Sequence, residues 1–118
     1  MQKRLTIYLR THRRRWGLTQ KELARLIGLQ SGSQVSRLER GKRQPTFPIV
    51  IACVLIFGVQ AADIFPALVN DVEDEVMQHA YQLYRALQGD TSTAAKAKLE
   101  LLNQLVAHIN PGQNKRTI

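Results

Sequence analysis

Residues 9–24 read LRTHRRRWGLTQKELA and residues 33–45 read SQVSRLERGKRQP. In the first stretch Gly17 stops a helix over about residues 4–15, in which Leu5, Leu9, His12 and Trp16 fall at helical spacing. Thr19 and Glu22 then form a capping box: the threonine hydroxyl accepts from the N–H three residues on, and the glutamate reaches back. The helix they open puts Leu23, Leu26 and Ile27 on its apolar face, with small Ala24 where another helix crosses closely, and Gly28 ends it. After the turn Leu29-Gln30-Ser31-Gly32, a third helix runs from about Ser33 to Arg40, with Val35 and Leu38 facing inward and Gly41 closing it. Two short helices across a tight turn, behind a basic first helix, are the nucleus of the reading.

Outward from that nucleus the chain stays helical. Pro45 and Pro48 bracket Thr46, the expected N-cap of a fourth helix ending near Phe57. Its run Ile49–Phe57 is apolar nearly all round. A helix apolar on every side is expected to be buried on every side, so the C-terminal helices or a second subunit should cover it. Gly58 breaks it, and a short fifth helix spans Ala61 to about Leu68, interrupted near Pro66. Asn70 or Asp71 is expected to cap a longer helix over 71–88, with Asp71, Glu73, Asp74 and Glu75 in its first turns, where the helix dipole favours negative charge. Its stripe is Val72, Val76, Ala80, Leu83, Leu87. Gly89-Asp90-Thr91 turns the chain into a last helix over 92–109 with the stripe Ala95, Leu99, Leu102, Val106, Ile109. Both stripes step by three and four, a heptad-like seam that suits packing within the chain, a dimer interface, or both. Asn110-Pro111-Gly112 stops this helix ahead of a polar tail. The expectation is an all-α chain: five helices over 1–68, a helical hairpin over 69–110 and a flexible tail over 111–118.

Charge divides along the same line. Residues 1–60 carry 12 Lys and Arg against 2 Asp and Glu, net +10; residues 61–118 carry 5 against 7, net −2. A basic half joined to a near-neutral one points to a polyanion for the first and a protein for the second. The single cysteine, Cys53, excludes an internal disulfide and a cysteine-rich zinc site, and reads as a small buried hydrophobe in a reducing cytoplasm. The apolar run at Ile49–Phe57 is too short to span a bilayer, and no signal-peptide pattern follows Met1, so no membrane association is expected. His12, His79 and His108 show no ligand spacing, and no catalytic triad, carboxylate pair or glycine-rich phosphate loop appears. Neither an enzyme activity nor a metal or other cofactor is expected. Tyr81, Tyr84 and Trp16 read as packing or rim residues.

The ordered set Thr19-Gln20, Leu23-Ala24, Gly28, Val35 to Gly41 and Pro45 resembles the helix-turn-helix domain of the phage-repressor family, Cro/cI-like or XRE, over about half the chain. The resemblance implies double-stranded DNA as ligand. The second helix would lie across the backbone and the third would enter the major groove. It assigns base reading to Ser33, Gln34, Ser36 and Arg37, whose side chains match base edges: Arg to guanine, Gln to adenine, Ser to either. Thr19 and Gln20, at a helix N-terminus, would contact a phosphate, joined by Lys42 and Arg43, by Arg14 and Arg15, and by Lys3 and Arg4. Arg13 and Glu39 match a charged pair that ties the first helix to the third. Gly28 to Val35 is one residue longer than the family's usual turn, which leaves Gln30, Ser31 and Gly32 open between base, phosphate and neither.

These expectations amount to a dimeric, sequence-specific transcriptional repressor, cytoplasmic and nucleoid-associated, acting by operator occupancy. The alternatives are an antitoxin whose hairpin holds a toxin while the domain represses its own operon, and an interaction module that has lost DNA binding.

Overall fold

The computed structural model describes residues 7–109. Leu5, Lys3 and Arg4, the Asn110-Pro111-Gly112 stop and the tail lie outside the described residues. Among those described, all regular structure is helical: α1 Leu9–Arg15, α2 Gln20–Ile27, α3 Gly32–Glu39, α4 Phe47–Phe57, α5 Ala61–Ile64, α6 Pro66–Ala86 and α7 Thr93–Ile109. Two compact units divide between Asn70 and Asp71, inside α6 rather than in a linker.

In the first unit α2 packs on α3 and α4, α1 on α3, and α4 on α5. Leu9, Leu23, Val35, Leu38, Cys53 and Ile64 are fully enclosed at the centre. Each aliphatic side chain so buried contributes about 1.5–3 kcal/mol of transfer free energy. The helix ends follow local chemistry. Thr19 Oγ1 accepts from Glu22 N at 3.0 Å and Glu22 Oε1 accepts from Thr19 N at 2.9 Å, the full capping box. Gly28 takes the left-handed conformation (φ +97) that ends α2 without the steric cost a Cβ would bring.

Several expectations are corrected. Ile7 and Tyr8 are not helical: the Tyr8 N–H donates to Ile64 O at 2.8 Å, so the backbone is tied to the end of α5 and α1 begins only at Leu9. Leu26 is 55% exposed, because the buried face of α2 is Leu23, Ala24 and Ile27, about 100° away around the helix. Trp16 is exposed, lying beyond the last residue of α1. The third helix starts at Gly32, with Ser31 at its N-cap position. Thr46 holds the N-cap position of α4 with extended backbone, but its hydroxyl makes no capping bond.

Pro66 does not interrupt a helix; it starts one. The proline ring disfavours helical geometry at the residue before it, and α5 ends at Ile64. Proline itself suits the first helical position, whose N–H would be unpaired anyway. From there α6 runs unbroken through Asn70 and Asp71, and neither caps it. The acidic cluster therefore lies beyond the first turn, outside the reach of the dipole.

The fourth helix buries only one side. Ile49, Cys53 and Phe57 face the core, while Phe47, Ile51 and Leu55 form an exposed stripe along the other, Phe47 at 76% and Leu55 at 77%. Within the second unit Leu87 and Ala95 are buried on either side of the turn, whereas Val72, Val76, Leu83 and Val106 of the expected stripes are exposed. Ser92 Oγ accepts from Ala95 N at 3.1 Å and so caps α7.

Candidate nucleic-acid interface

The site is built on α2 and α3. Val35 and Leu38 anchor α3 in the core, so the positions between them turn outward by helical geometry. Ser33 and Arg37 are exposed and Ser36 is half-buried between them. Arg40, three residues beyond Arg37 and four beyond Ser36, continues the same face and is exposed. Sequence reasoning passed over Arg40, although the i, i+3, i+4 spacing from the two neighbours it did select would have found it. Gln34 lies at the edge. Its Oε1 accepts from Gln30 N at 2.9 Å, which pins the turn and leaves the amide nitrogen to donate elsewhere. The Ser31 and Ser33 hydroxyls lie 2.8 Å apart. The longer turn thus becomes a bonded loop ahead of α3, with Ser31 at the N-cap position and its hydroxyl making no capping bond.

Gly32 fixes how closely α3 approaches α2. A Cβ there would lie 3.1 Å from Lys21 N and 3.3 Å from the Gln20 carbonyl carbon, both backbone atoms. A Cβ there would press on this backbone and require it to give by a few tenths of an ångström.

Orientation between α1 and α3 comes from Arg13 and Glu39. Arg13 Nε and Nη2 donate to the two Glu39 oxygens, and Nη1 donates to Leu18 O at 2.9 Å. Both side chains are almost wholly buried, at 11% and 3% exposure. Gln20 joins them, its Nε2 donating to Glu39 Oε1 at 3.0 Å. The Gln20 side chain is therefore committed to a bond between α2 and α3. Nothing local in the sequence signals this, because the two residues are 19 apart.

The remaining cations frame the α3 face. Arg14 and Arg15 are exposed on α1 beside buried Arg13, so only two of the three consecutive arginines are accessible. Lys42 is exposed and Arg43 half-buried just past α3, where both N–H groups donate to Arg37 O, at 2.8 and 3.3 Å. Thr19 is exposed at the start of α2. The bond from the Thr19 backbone N–H, then that to its hydroxyl, holds the Glu22 carboxyl below the usual range. Burial pushes the Cys53 thiol up to about 11, so it stays protonated at neutral pH. His12 packs its ring against Phe57 and lies 3.3 Å from Asp63 O, joining α1 to α4 and α5.

The family described as a helix-turn-helix domain matches residues 4–64, over half of the chain. The chain belongs to the helix-turn-helix domain family. Its domain is of the Cro/cI type that residues 9–65 resemble, a DNA-binding and non-catalytic fold. No curated protein and no solved structure matches the chain. In the helix-turn-helix frame α2 and α3 are the paired helices, and residues beyond Ile64 lie outside the match. Among the described residues no group of His, Cys, Asp and Glu is arranged to hold a metal ion, and no helix is long and apolar enough to cross a membrane.

Proposed function

We propose that the protein is a dimeric, sequence-specific transcriptional regulator that represses by occupying an operator. The observation that carries this reading is the outward face of α3, where Ser33, Ser36, Arg37 and Arg40 stand exposed or half-exposed. These groups can pair with base edges in the major groove, Arg37 bidentate to guanine and the hydroxyls to either partner. Gln34 reads adenine from the edge of the face through its amide nitrogen. Thr19 N-terminal to α2, Arg14 and Arg15 on α1, and Lys42 and Arg43 past α3 bind phosphates, which supply affinity and register but no sequence information. Gln20 serves the domain mainly through Glu39, with its backbone N–H left for phosphate at the helix N-terminus. One reading head of this size offers limited contact area, so two copies spaced about one DNA turn, about 34 Å, read a near-palindrome. The acting pool sits on the nucleoid in the cytoplasm.

The test is selection of bound sequences from random duplex DNA by the purified protein at moderate salt. Enrichment of a two-fold-symmetric site is the expected result. Binding without enrichment would reduce α3 to a backbone contact, and no binding would remove DNA as the ligand.

A further inference from the structure

The helical hairpin of the second unit is closed at its turn and open over part of its length. Leu87 and Ala95 are buried where the chain reverses, yet Tyr81 and Leu101 are 61% and 64% exposed. Between α6 and α7 lies an open cleft of about 310 Å³, lined by Met77, Tyr81, Tyr84, Leu102, Asn103 and Val106 among others. Apolar walls with no atoms between them forfeit their dispersion contacts, so the cleft favours an occupant with apolar side chains.

We propose that the occupant is a second copy of this hairpin, seated antiparallel on the cleft to close a four-helix bundle, with a two-fold axis passing near Ala80 and Asn103. This rests on the dimeric reading above and assigns its interface. Charge selects the occupant and its direction. Glu73 and Asp74 precede Met77 by four and three residues, which places them on or beside the cleft side of α6 at one end. Arg85 follows Tyr81 by four and stands over its ring, 5.8 Å from the centroid, at the other end. Because α7 runs back from the turn, Lys96, seven residues before Asn103, lies at the Arg85 end. A surface acidic at one end and basic at the other fits itself only when one copy is reversed. Each Glu73–Asp74 pair then meets Arg85 and Lys96 of the other copy, and a parallel seat would set acid on acid. Among the described residues none of these four groups stands in an ion pair. The acidic pair also has no capping task, since α6 begins at Pro66. Near the axis Asn103 meets its own counterpart, a polar contact in an apolar seam that fixes register.

The experiment is sedimentation equilibrium of the full chain without DNA, with circular dichroism to verify that each variant keeps its helices. The wild type is expected to dimerise. Glu73→Lys/Asp74→Lys and Arg85→Glu/Lys96→Glu should each weaken association about tenfold or more. An equimolar mixture of the two should restore it as a heterodimer, and all four changes in one chain should restore the homodimer. Charge variants that associate like the wild type would overturn the interface. A wild-type monomer would also overturn it, and would leave the cleft to a different protein. Sequence selection on DNA separates the two levels: a monomer that still enriches a half-site removes this interface and leaves DNA reading intact.

Discussion

Glu39 accepts from Arg13 on both oxygens and from Gln20 on one, so a single buried carboxylate fixes α1 and α2 against α3. Desolvation offsets much of what such a pair gains, and its main effect is orientation. Removing one partner is a different matter, because it strands the other charge. Glu39→Gln should cost about 3–5 kcal/mol, read as a lower urea midpoint. The double change Arg13→Met/Glu39→Leu should fall much nearer the wild type, and equal losses in both would contradict the stranded-charge explanation. The same scale fixes Cys53. Its thiol is enclosed and raised to about 11, so in the folded state it binds its proton more tightly than in the unfolded chain. Any stability tied to that proton is present below the unfolded thiol's pKa and is lost as pH rises toward 11. At pH 8 a thiol reagent should label Cys53 only at the rate of unfolding; rapid labelling of the native protein would refute its enclosure.

At the scale of elements, the paired helices were legible and their neighbours less so. Thr19, Glu22, Gly28 and Gly41 mark ends by chemistry that acts within a few residues, and α2 and α3 lie where those signals put them. Pro66 has two meanings, a break or a first helical position, and nothing local in the sequence chooses between them; the structure has the second, with α6 starting at Pro66. The orientation of α4 could not be read, since a helix without polar positions carries no mark of its inner side; packing alone decides that Phe47, Ile51 and Leu55 face out. On the site itself, the face carrying Ser33, Ser36 and Arg37 follows from periodicity, whereas the diversion of Gln20 to Glu39 is tertiary. The approach of α3 to α2 rests on Gly32. Alanine is the better helix former by about 1 kcal/mol, but its Cβ would press on the backbone of α2, and overpacking of that kind costs about 1–3 kcal/mol. Gly32→Ala should therefore lower the melting temperature, and a higher one would show that the helices can separate at no cost.

Across the whole molecule, charge is sorted between the two units, while exposed apolar side chains occur in both. The helix-turn-helix unit carries the excess of Lys and Arg, and the hairpin carries balanced charge beside an apolar cleft. That separation suits a protein whose first unit grips a polyanion while the second brings two copies together. The contribution of phosphate contacts is measurable through salt. Lys42→Ala should weaken specific and random DNA alike and reduce the slope of log affinity against log salt by about 1. An unchanged slope would take Lys42 out of the phosphate contacts.

The most direct measurement is the affinity of wild type and Arg37→Ala for the selected site and for random duplex at one salt concentration. If α3 reads bases, the variant loses about 1–3 kcal/mol on the selected site, little on random DNA, and its preference relaxes at one position of each half-site. Equal loss on both kinds of DNA would make Arg37 a backbone contact and contradict base reading by this helix.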